Sequence, residues 1–549
     1  MALASGGLVK MLEETSTCGV DPLRAAPQHR FQLCWPSALH VLLTVALLSL
    51  VWSFPILPSQ DGPSHLDNAS VMRRLASHGW PTLRSYYTVN WHPAPNLMSH
   101  AILASLQVMF SPMVALKVFA SGYLLLLPMA MRYAARSVAQ QTNSSFANSM
   151  ALLVYPLVPN LAFYKGFYGF CYGVALMLFV IGYWSKNRTR LNTAKTIWLA
   201  MMVVVLYLCH PLCFAAAAAA VALLTLTAIG KQDSRLAVIA TAIAFAPAMF
   251  LTLAFIKHEP GGATEAPFVE SLGSLLTLDP LYCLRPQERI VGIFTAMTFA
   301  ALVSYTALCR LGWFFRSSDP LRRLQWKPEV DGWLLLPIVF ALALPLVPNR
   351  FAGGGWITLR LTLFPYLLVL PWLCGAATSR LLRWIVPLAA TSLTLCLVAS
   401  QWIGIRAAQP LLTEYLSVAP HLQPDTTLLP ISSDDDGHTV SGRPIARHNL
   451  HLFLHASGYL TAERGCVDLS NYEARLDYFP VAFKPATLPA MDAVDYVLLW
   501  QPRNKAASVA SEIPAKLAAD FDLIFTSSNG HAKLFRAKGI AVGAAPPHD

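Results

Sequence analysis

The most constraining feature of this sequence is a succession of apolar segments, each long enough to cross a bilayer as a helix. Such a crossing needs roughly 20 mostly apolar residues, because every backbone polar group in hydrocarbon must be hydrogen-bonded within the protein. Of the 549 residues, 55% are hydrophobic and 13% are charged, which is too apolar for a water-soluble globule. The sequence therefore predicts a mainly α fold, a polytopic helical membrane bundle.

About eleven segments fit the length of a transmembrane helix. They cover residues 36–56, 113–133, 146–164, 167–184, 195–209, 211–229, 236–256, 290–310, 332–348, 357–377 and 383–404. The further segment 96–111 is short and carries Ser99, His100, Ser105 and Gln107. We interpret it as an amphipathic helix that lies in the membrane interface.

Basic residues predict the orientation of the bundle, since Lys and Arg are enriched in cytoplasmic loops. They gather in the loops at 132–136, 186–195, 231–235, 310–327 and 380–383. Placing these loops inside makes residues 1–35 a cytoplasmic segment and puts the carboxy terminus outside. The formal net charge of +11 is then explained by topology, so we predict no nucleic-acid partner.

Beyond Arg406 the composition becomes that of an ordinary soluble domain. Regular elements are predicted as strands at 426–431, 495–500 and 522–527 and as a helix at 505–519. The sequence thus predicts a transmembrane domain over 36–405, whose first outer loop, 57–112, holds interfacial helices, and a small α/β extracytoplasmic domain over 406–549.

The first outer loop concentrates polar residues next to a membrane-spanning helix, an arrangement typical of a functional site. Its motifs read Asp61-Gly62-Pro63-Ser64-His65, Trp91-His92-Pro93-Ala94-Pro95 and Met109-Phe110-Ser111-Pro112. Together with the polytopic body and the carboxy-terminal outer domain, these motifs resemble the GT-C superfamily of integral-membrane glycosyltransferases, in particular its protein mannosyltransferase and aminoarabinose transferase branch.

The resemblance implies transfer of a sugar from a polyprenyl-phosphate donor to a lipid, glycan or protein acceptor. It also implies an integral protein of a bacterial inner (plasma) membrane, in contact with membrane lipid and with its active face on the periplasmic or extracellular side. Such a transfer needs a base or hydrogen-bond acceptor for the incoming hydroxyl, and cations for the departing phosphate.

Asp61 is the candidate for the catalytic acceptor of the hydroxyl proton. The alternative is that Asp61 only caps the helix that Pro63 begins, and the two roles are compatible. His65 lies four positions after Asp61, which on a helix brings both side chains to one face. His92, between Trp91 and a proline, is a second substrate-binding candidate near the headgroups.

Four cationic or polar residues on the outer side are candidates for binding the substrate phosphate. Arg360 lies within a predicted span, where an arginine is costly unless it faces a wet cavity or an anion. Arg350 precedes it in a glycine-rich turn, with snorkelling to the interface as its alternative. Lys165 and His210 lie at the tips of two other outer hairpins.

Two alternative functions stay open at this stage. GT-C members commonly carry two adjacent acids in the first loop, whereas Gly62 follows Asp61 here, which favours a catalytically inactive scaffold as one alternative. A transporter or lipid-handling protein of the same topology is the other. One carboxylate is a small ligand set for a divalent cation, so the sequence predicts no metal-ligating residues and no certain cofactor, with a divalent cation left as the weaker alternative.

Overall fold

The computed structural model describes most of the chain with gaps. The described residues are 35–138, 144–228, 235–258, 264, 268–316, 328–351, 353–376, 381–438, 442–447, 449–484, 494–500 and 517–538. The helices are α1 Trp35–Trp52, α2 Gly62–Ala76, α3 Pro81–Tyr86, α4 Leu97–Leu106, α5 Pro112–Val138, α6 Ser144–Ala151, α7 Leu161–Tyr164, α8 Tyr168–Asn187, α9 Thr193–Cys209, α10 Pro211–Ala228, α11 Arg235–His258, α12 Phe268–Thr277, α13 Gln287–Arg316, α14 Pro328–Ala343, α15 Ile357–Leu361, α16 Leu363–Ala376, α17 Leu382–Leu416 and α18 Ser457–Arg464. The strands are β1 Tyr87–Val89, β2 Thr427–Ser432, β3 Val467–Asp468, β4 Val481–Phe483, β5 Tyr496–Trp500, β6 Phe521–Thr526 and β7 Ala532–Ala537.

The helical bundle confirms the predicted membrane architecture. Within the described residues, nine helical stretches are long and apolar enough to cross a membrane. They comprise α1, α5, α8, α10, α11, α13, α14 with the turn that follows it, α15 joined to α16, and α17. The chain is therefore an integral membrane protein.

The two other predicted spans form shorter helices. α9 has 17 residues, a length of about 25 Å at 1.5 Å per residue, which is slightly less than the hydrocarbon thickness. The segment 146–164 is divided into α6, a 3₁₀ turn over Leu152–Leu157 that contains Pro156, and α7. Proline lacks an N–H donor and interrupts the α-helical hydrogen bonds there.

The predicted interfacial segment 96–111 contains α4, a helix of 10 residues. Its length of about 15 Å is half of what a crossing requires. Ser99, His100 and Leu103 are its buried residues, because α4 packs against α2 of the same loop. The polar side chains of this helix are thus used in contacts within the protein.

The carboxy-terminal region contains the predicted strands in one five-stranded sheet of order β3-β2-β5-β7-β6. β2 is parallel to β3 and β5, and β7 is antiparallel to β5 and β6. Most of the predicted helix 505–519 lies outside the described residues. The proposed boundary at Arg406 falls inside α17, whose Glu414 accepts hydrogen bonds from Ser527 and Asn529 of the sheet region.

The first outer loop and the carboxy-terminal domain pack against each other. β1 of the loop pairs antiparallel with β4 of the domain, and α18 packs on α2. A Cβ atom on Gly458 of α18 would lie 2.4 Å from the carbonyl oxygen of Pro63, so glycine allows the close approach of the two backbones. The two regions therefore lie on the same side of the bundle.

Candidate functional site

A cavity of about 350 Å³ lies where the first outer loop, the helical bundle and the carboxy-terminal domain meet. This volume is in the range of small-ligand sites. The polar residues of its lining are Gln60, Asp61, His65, His210 and Arg360. The aromatic residues of its lining are Phe167, Phe170, Phe255, Trp356, Tyr472, Tyr478 and Phe479. Polar and aromatic surfaces thus meet in one space.

The structure brings together residues that the sequence analysis selected from distant segments. Asp61, His65, His210 and Arg360 all line the cavity. Lys165 is buried directly behind it, where its ammonium donates to the side-chain oxygen of the lining residue Gln60 at 3.1 Å. A carboxylate, a guanidinium and an ammonium group therefore share one region of the protein.

Asp61 is held by its backbone and leaves its carboxylate available for other contacts. Its N–H donates to the carbonyl of Lys165 at 3.0 Å, and the N–H of Gln60 donates to the carbonyl of Tyr164 at 3.0 Å. α2 begins at the next residue, but within the described residues the Asp61 side chain makes no capping hydrogen bond. One carboxylate oxygen instead accepts from the Gln60 amide at 3.0 Å. The helix-cap interpretation is therefore wrong for this side chain.

Gly166 allows this backbone contact to form. It has a φ of +78°, and a Cβ there would lie 2.4 Å from the backbone nitrogen of Gly62. Only glycine adopts a positive φ without steric cost and also allows this close approach. The hairpin that carries Lys165 can consequently lie directly against the segment that carries Asp61.

Arg360 is held in the lining of the cavity by side-chain contacts. It belongs to α15, in a stretch of the bundle that is almost entirely buried. Its guanidinium carbon lies 4.0 Å from the ring centroid of Phe167, in cation–π geometry. Nη1 donates to Nε2 of His210 at 3.2 Å, while Nε is buried and has no hydrogen-bond partner among the described residues. The guanidinium therefore keeps an unused donor.

His210 is a neutral hydrogen-bond acceptor for this arginine. Burial, followed by the positive charge of Arg360, holds the pKa of His210 well below its ordinary value. Arginine only donates, so Nε2 of His210 accepts this hydrogen bond in the neutral ring. The histidine thus orients Arg360 without adding a second charge.

Lys165 is a buried cation whose charge depends on pH. Its ammonium lies 4.2 Å from the ring centroid of Trp356. Burial lowers the pKa of Lys165 to about 8; the charge of Asp61 opposes this shift, and the charges of Arg360 and Arg447 add to it. Lys165 is therefore largely charged at neutral pH and loses its charge in mildly alkaline solution.

His65 makes contacts that the sequence analysis did not anticipate. Its Nε2 donates to the carbonyl of Gly166 at 3.0 Å, and its Nδ1 lies 2.7 Å from a carboxylate oxygen of Glu473. Burial opposes a charge on His65, but the carboxylates of Glu473 and Asp61 and the carbonyl of Gly166 together outweigh it and raise the pKa of His65. Both ring nitrogens are thus used in protein contacts and are not directed to a substrate phosphate.

His92 and Arg350 do not line the cavity. Both residues are exposed, and the loop that holds His92 reaches the cavity through Pro95 and Asn96. The turn that contains Arg350 contributes Phe351 and three glycines to the lining instead. The substrate-binding roles of His92 and Arg350 stay predictions, because neither residue lines the cavity with Asp61 and Arg360.

The carboxy-terminal domain adds residues that the sequence analysis missed. Nε2 of His455 lies 3.8 Å from a carboxylate oxygen of Asp61, and its ring stacks on Tyr472 with centroids 4.4 Å apart. Burial lowers the pKa of His455, although the charge of Asp61 opposes this. Its position near Asp61 depends on how the domain folds back, which no local sequence pattern indicates.

Sequence comparisons do not identify a family, since no protein-family profile and no curated protein matches this chain. Among solved structures, the chain is similar to ArnT from Cupriavidus metallidurans in the apo state, with 11% identity over 91% of this chain and 98% of that one and a TM-score of 0.47. It is also similar to the archaeal oligosaccharyltransferase AglB from Archaeoglobus fulgidus, in complex with an inhibitory peptide and a dolichol-phosphate, with 12% identity over 93% and 75% of the two chains and a TM-score of 0.43. Likeness at this level assigns neither a family nor an activity, so the geometry of the cavity carries the functional argument.

Proposed function

We propose that this protein is a GT-C-like membrane glycosyltransferase that moves a sugar from a polyprenyl-phosphate donor to the hydroxyl group of an acceptor. The reaction would take place on the extracytoplasmic face of a bacterial inner membrane, with a lipid, a glycan or a protein as acceptor. The observation that carries this proposal is that Asp61 and Arg360, which are distant in sequence, line one cavity.

Asp61 is the proposed proton acceptor. The acceptor oxygen forms a bond to the anomeric carbon of the sugar while the bond between that carbon and the phosphate oxygen breaks. The hydroxyl proton passes to the Asp61 carboxylate, and the bonding electron pair leaves with the polyprenyl phosphate. The fixed backbone of Asp61 supports this role, because general base catalysis depends on a positioned group within hydrogen-bond reach.

Arg360 and Lys165 are the proposed partners of the phosphate. A guanidinium binds a phosphate through parallel charge-assisted hydrogen bonds, and the unpartnered Nε of Arg360 supports such a contact. Lys165 adds a second positive charge nearby. Two cations in a buried site favour the transition state, in which negative charge builds up on the leaving phosphate.

The apolar part of the cavity supports a lipid-linked donor. Phe255 and Ile256 come from α11, one of the membrane-spanning helices, and Phe351 and Trp356 come from the turn before α15. An aromatic and aliphatic wall suits the first isoprene units of a polyprenyl chain, while the polar end suits the sugar and phosphate. The amphipathic lining therefore matches an amphipathic substrate.

Turnover of lipid-linked sugars by membranes that contain Asp61→Asn tests this proposal. Release of sugar-free polyprenyl phosphate from a panel of radiolabelled polyprenyl-phosphate hexoses and pentoses measures transfer in the presence of cell-envelope acceptors. We expect Asp61→Asn to lower the turnover by about 100-fold or more, in line with the contribution of a positioned base. Glu463→Gln removes an exposed carboxylate of α18 and serves as the control. Undiminished turnover in Asp61→Asn removes Asp61 from the mechanism, and a wild-type chain without turnover favours a transporter or an inactive scaffold.

A further inference from the structure

Three buried side chains next to the cavity come from segments that are far apart in sequence. His65 belongs to α2, His100 to α4 and Glu473 to a turn of the carboxy-terminal domain. The His100 and Glu473 side chains are 0% exposed and that of His65 is 9% exposed. These residues join two helices of the first outer loop to the domain at one point, which we call the His-His-Glu cluster.

The ligand-type atoms of the cluster converge. Nδ1 of His65 lies 2.7 Å from Oε1 of Glu473, Nε2 of His100 lies 2.9 Å from Oε2, and the two nitrogens are 3.2 Å apart. Ligands of a tetrahedral zinc ion with bonds of roughly 2.0 to 2.1 Å are separated by about 3.3 Å. The separation of the two nitrogens is therefore close to that of a zinc site.

Hydrogen bonds on the far side of each ring determine where the protons are. Nε2 of His65 lies 3.0 Å from the carbonyl oxygen of Gly166, and Nδ1 of His100 lies 3.0 Å from that of Asn96. A carbonyl only accepts, so both of these nitrogens carry hydrogen, and in a neutral ring the other nitrogen is a lone pair. When His65 is neutral, two lone pairs and a carboxylate face one another, which is the state that binds a metal ion. Histidines that bind metals usually donate their second N–H to a backbone carbonyl in this way.

Oε1 of Glu473 is buried, and its near contact is Nδ1 of His65 at 2.7 Å. A buried carboxylate needs a positive charge beside it. A protonated His65 can supply this charge, and a divalent ion that takes the place of the His65 proton would supply it as well.

From this geometry we infer that His65, His100 and Glu473 form a binding site for a divalent ion of the zinc class. Two imidazoles and one carboxylate are a ligand set that zinc accepts, while magnesium and calcium prefer oxygen ligands alone. Asn68 donates to Oε2 of Glu473 at 2.5 Å and orients the carboxylate. The inference is independent of the proposed transferase activity, because it needs no substrate.

The ion would act on the cavity by holding its wall together. His65 itself lines the cavity, as do Tyr472 and Phe479, which lie close to Glu473 in sequence. Three protein ligands also leave a coordination position for a water molecule or another oxygen ligand. The site thus links the fold of the carboxy-terminal domain to the shape of the cavity.

The metal content of the purified full-length protein tests this inference. After incubation with zinc and removal of unbound metal, elemental analysis is expected to find about one tightly bound zinc per wild-type chain. Glu473→Gln and His100→Gln are expected to lose this equivalent. His78→Gln changes an exposed histidine just beyond the end of α2 and is expected to keep it. Each variant is compared as monodisperse protein in detergent.

A second ligand-type group requires its own variant. Asp434, Asp436 and His438 of the carboxy-terminal domain also lie close enough together to hold an ion. Asp436→Asn is expected to leave the bound zinc unchanged. If Asp436→Asn removes the metal while Glu473→Gln retains it, the ion belongs to that group and the inference fails.

A spectroscopic measurement on the wild-type chain covers the case in which both cluster variants fail to fold. Cobalt loaded in place of zinc is expected to show the visible absorption of a low-coordinate nitrogen and oxygen site and to be displaced by zinc. Removal of the metal by a chelator is expected to lower the thermal midpoint, with recovery on addition of zinc. Background metal content in the wild type, or no cobalt absorption, overturns the inference.

Discussion

The two sides of the cavity are built differently. On the acidic side, main-chain hydrogen bonds between segments 60–61 and 164–165, together with the glycine contact beside them, fix Asp61. On the cationic side, the rings of Phe167 and His210 hold Arg360 through side-chain contacts. The backbone of the proposed base is therefore held by hydrogen bonds between segments, whereas the proposed phosphate ligand is held by contacts of its side chain.

Gly166→Ala is expected to have the largest effect, because it disrupts the backbone contact that holds Asp61. The new Cβ would lie 2.4 Å from a backbone nitrogen at a φ of +78°, so strain and overpacking together should cost about 3 kcal/mol or more. We expect a lower thermal midpoint in detergent and loss of turnover.

Gly79→Ala is the matched control for Gly166→Ala. Gly79 also has a positive φ, of +87°, but a Cβ there would meet nothing within 4 Å among the described residues. It should show only the conformational cost of about 1 to 2 kcal/mol and keep its activity. Equal behaviour of the two variants would mean that the close backbone contact does not hold Asp61.

Arg360→Gln is expected to have the next largest effect, because it removes a contact to the phosphate in both the bound donor and the transition state. Loss of a charge-assisted contact corresponds to a fall of about 10- to 100-fold in kcat/KM for the lipid-linked donor. Steady-state turnover against donor concentration measures this change. Arg350→Gln, at an exposed position outside the cavity, should stay close to wild type. A larger effect at Arg350 than at Arg360 would assign the phosphate to the glycine-rich turn instead.

Two residues that line the cavity each carried a signal of their own in the sequence. Arg360 is a charged residue in an apolar span, and Asp61 is an acid just after a span, so hydropathy alone distinguishes them. Hydropathy also predicted the bundle, since a helix of the required length leaves a clear apolar pattern. The division of segment 146–164 shows the limit of this signal, because an apolar run does not reveal that Pro156 interrupts the helix.

The missed part of the site depends on contacts between distant segments. His455 and Glu473 reach the cavity region only because the carboxy-terminal domain packs onto α2 and α4. The sequence around each of them resembles that of an ordinary soluble domain. His65 illustrates the same point, since its helical spacing from Asp61 was correctly noted while its partner Glu473 was not. Local patterns indicate which residue types are unusual, but they do not indicate which buried group will neutralise them.

The pH dependence of donor binding is the smallest expected effect and tests the contribution of the Lys165 charge. The pKa of Lys165 is lowered to about 8 by burial, so its positive charge is present below this pH and is lost as the pH rises through it. Donor affinity should therefore fall by up to about tenfold between neutral and alkaline pH. Lys165→Arg stays charged over this range and should flatten the profile of kcat/KM against pH. If both chains show the same decline, another group titrates, and Arg360 binds the phosphate without help from Lys165.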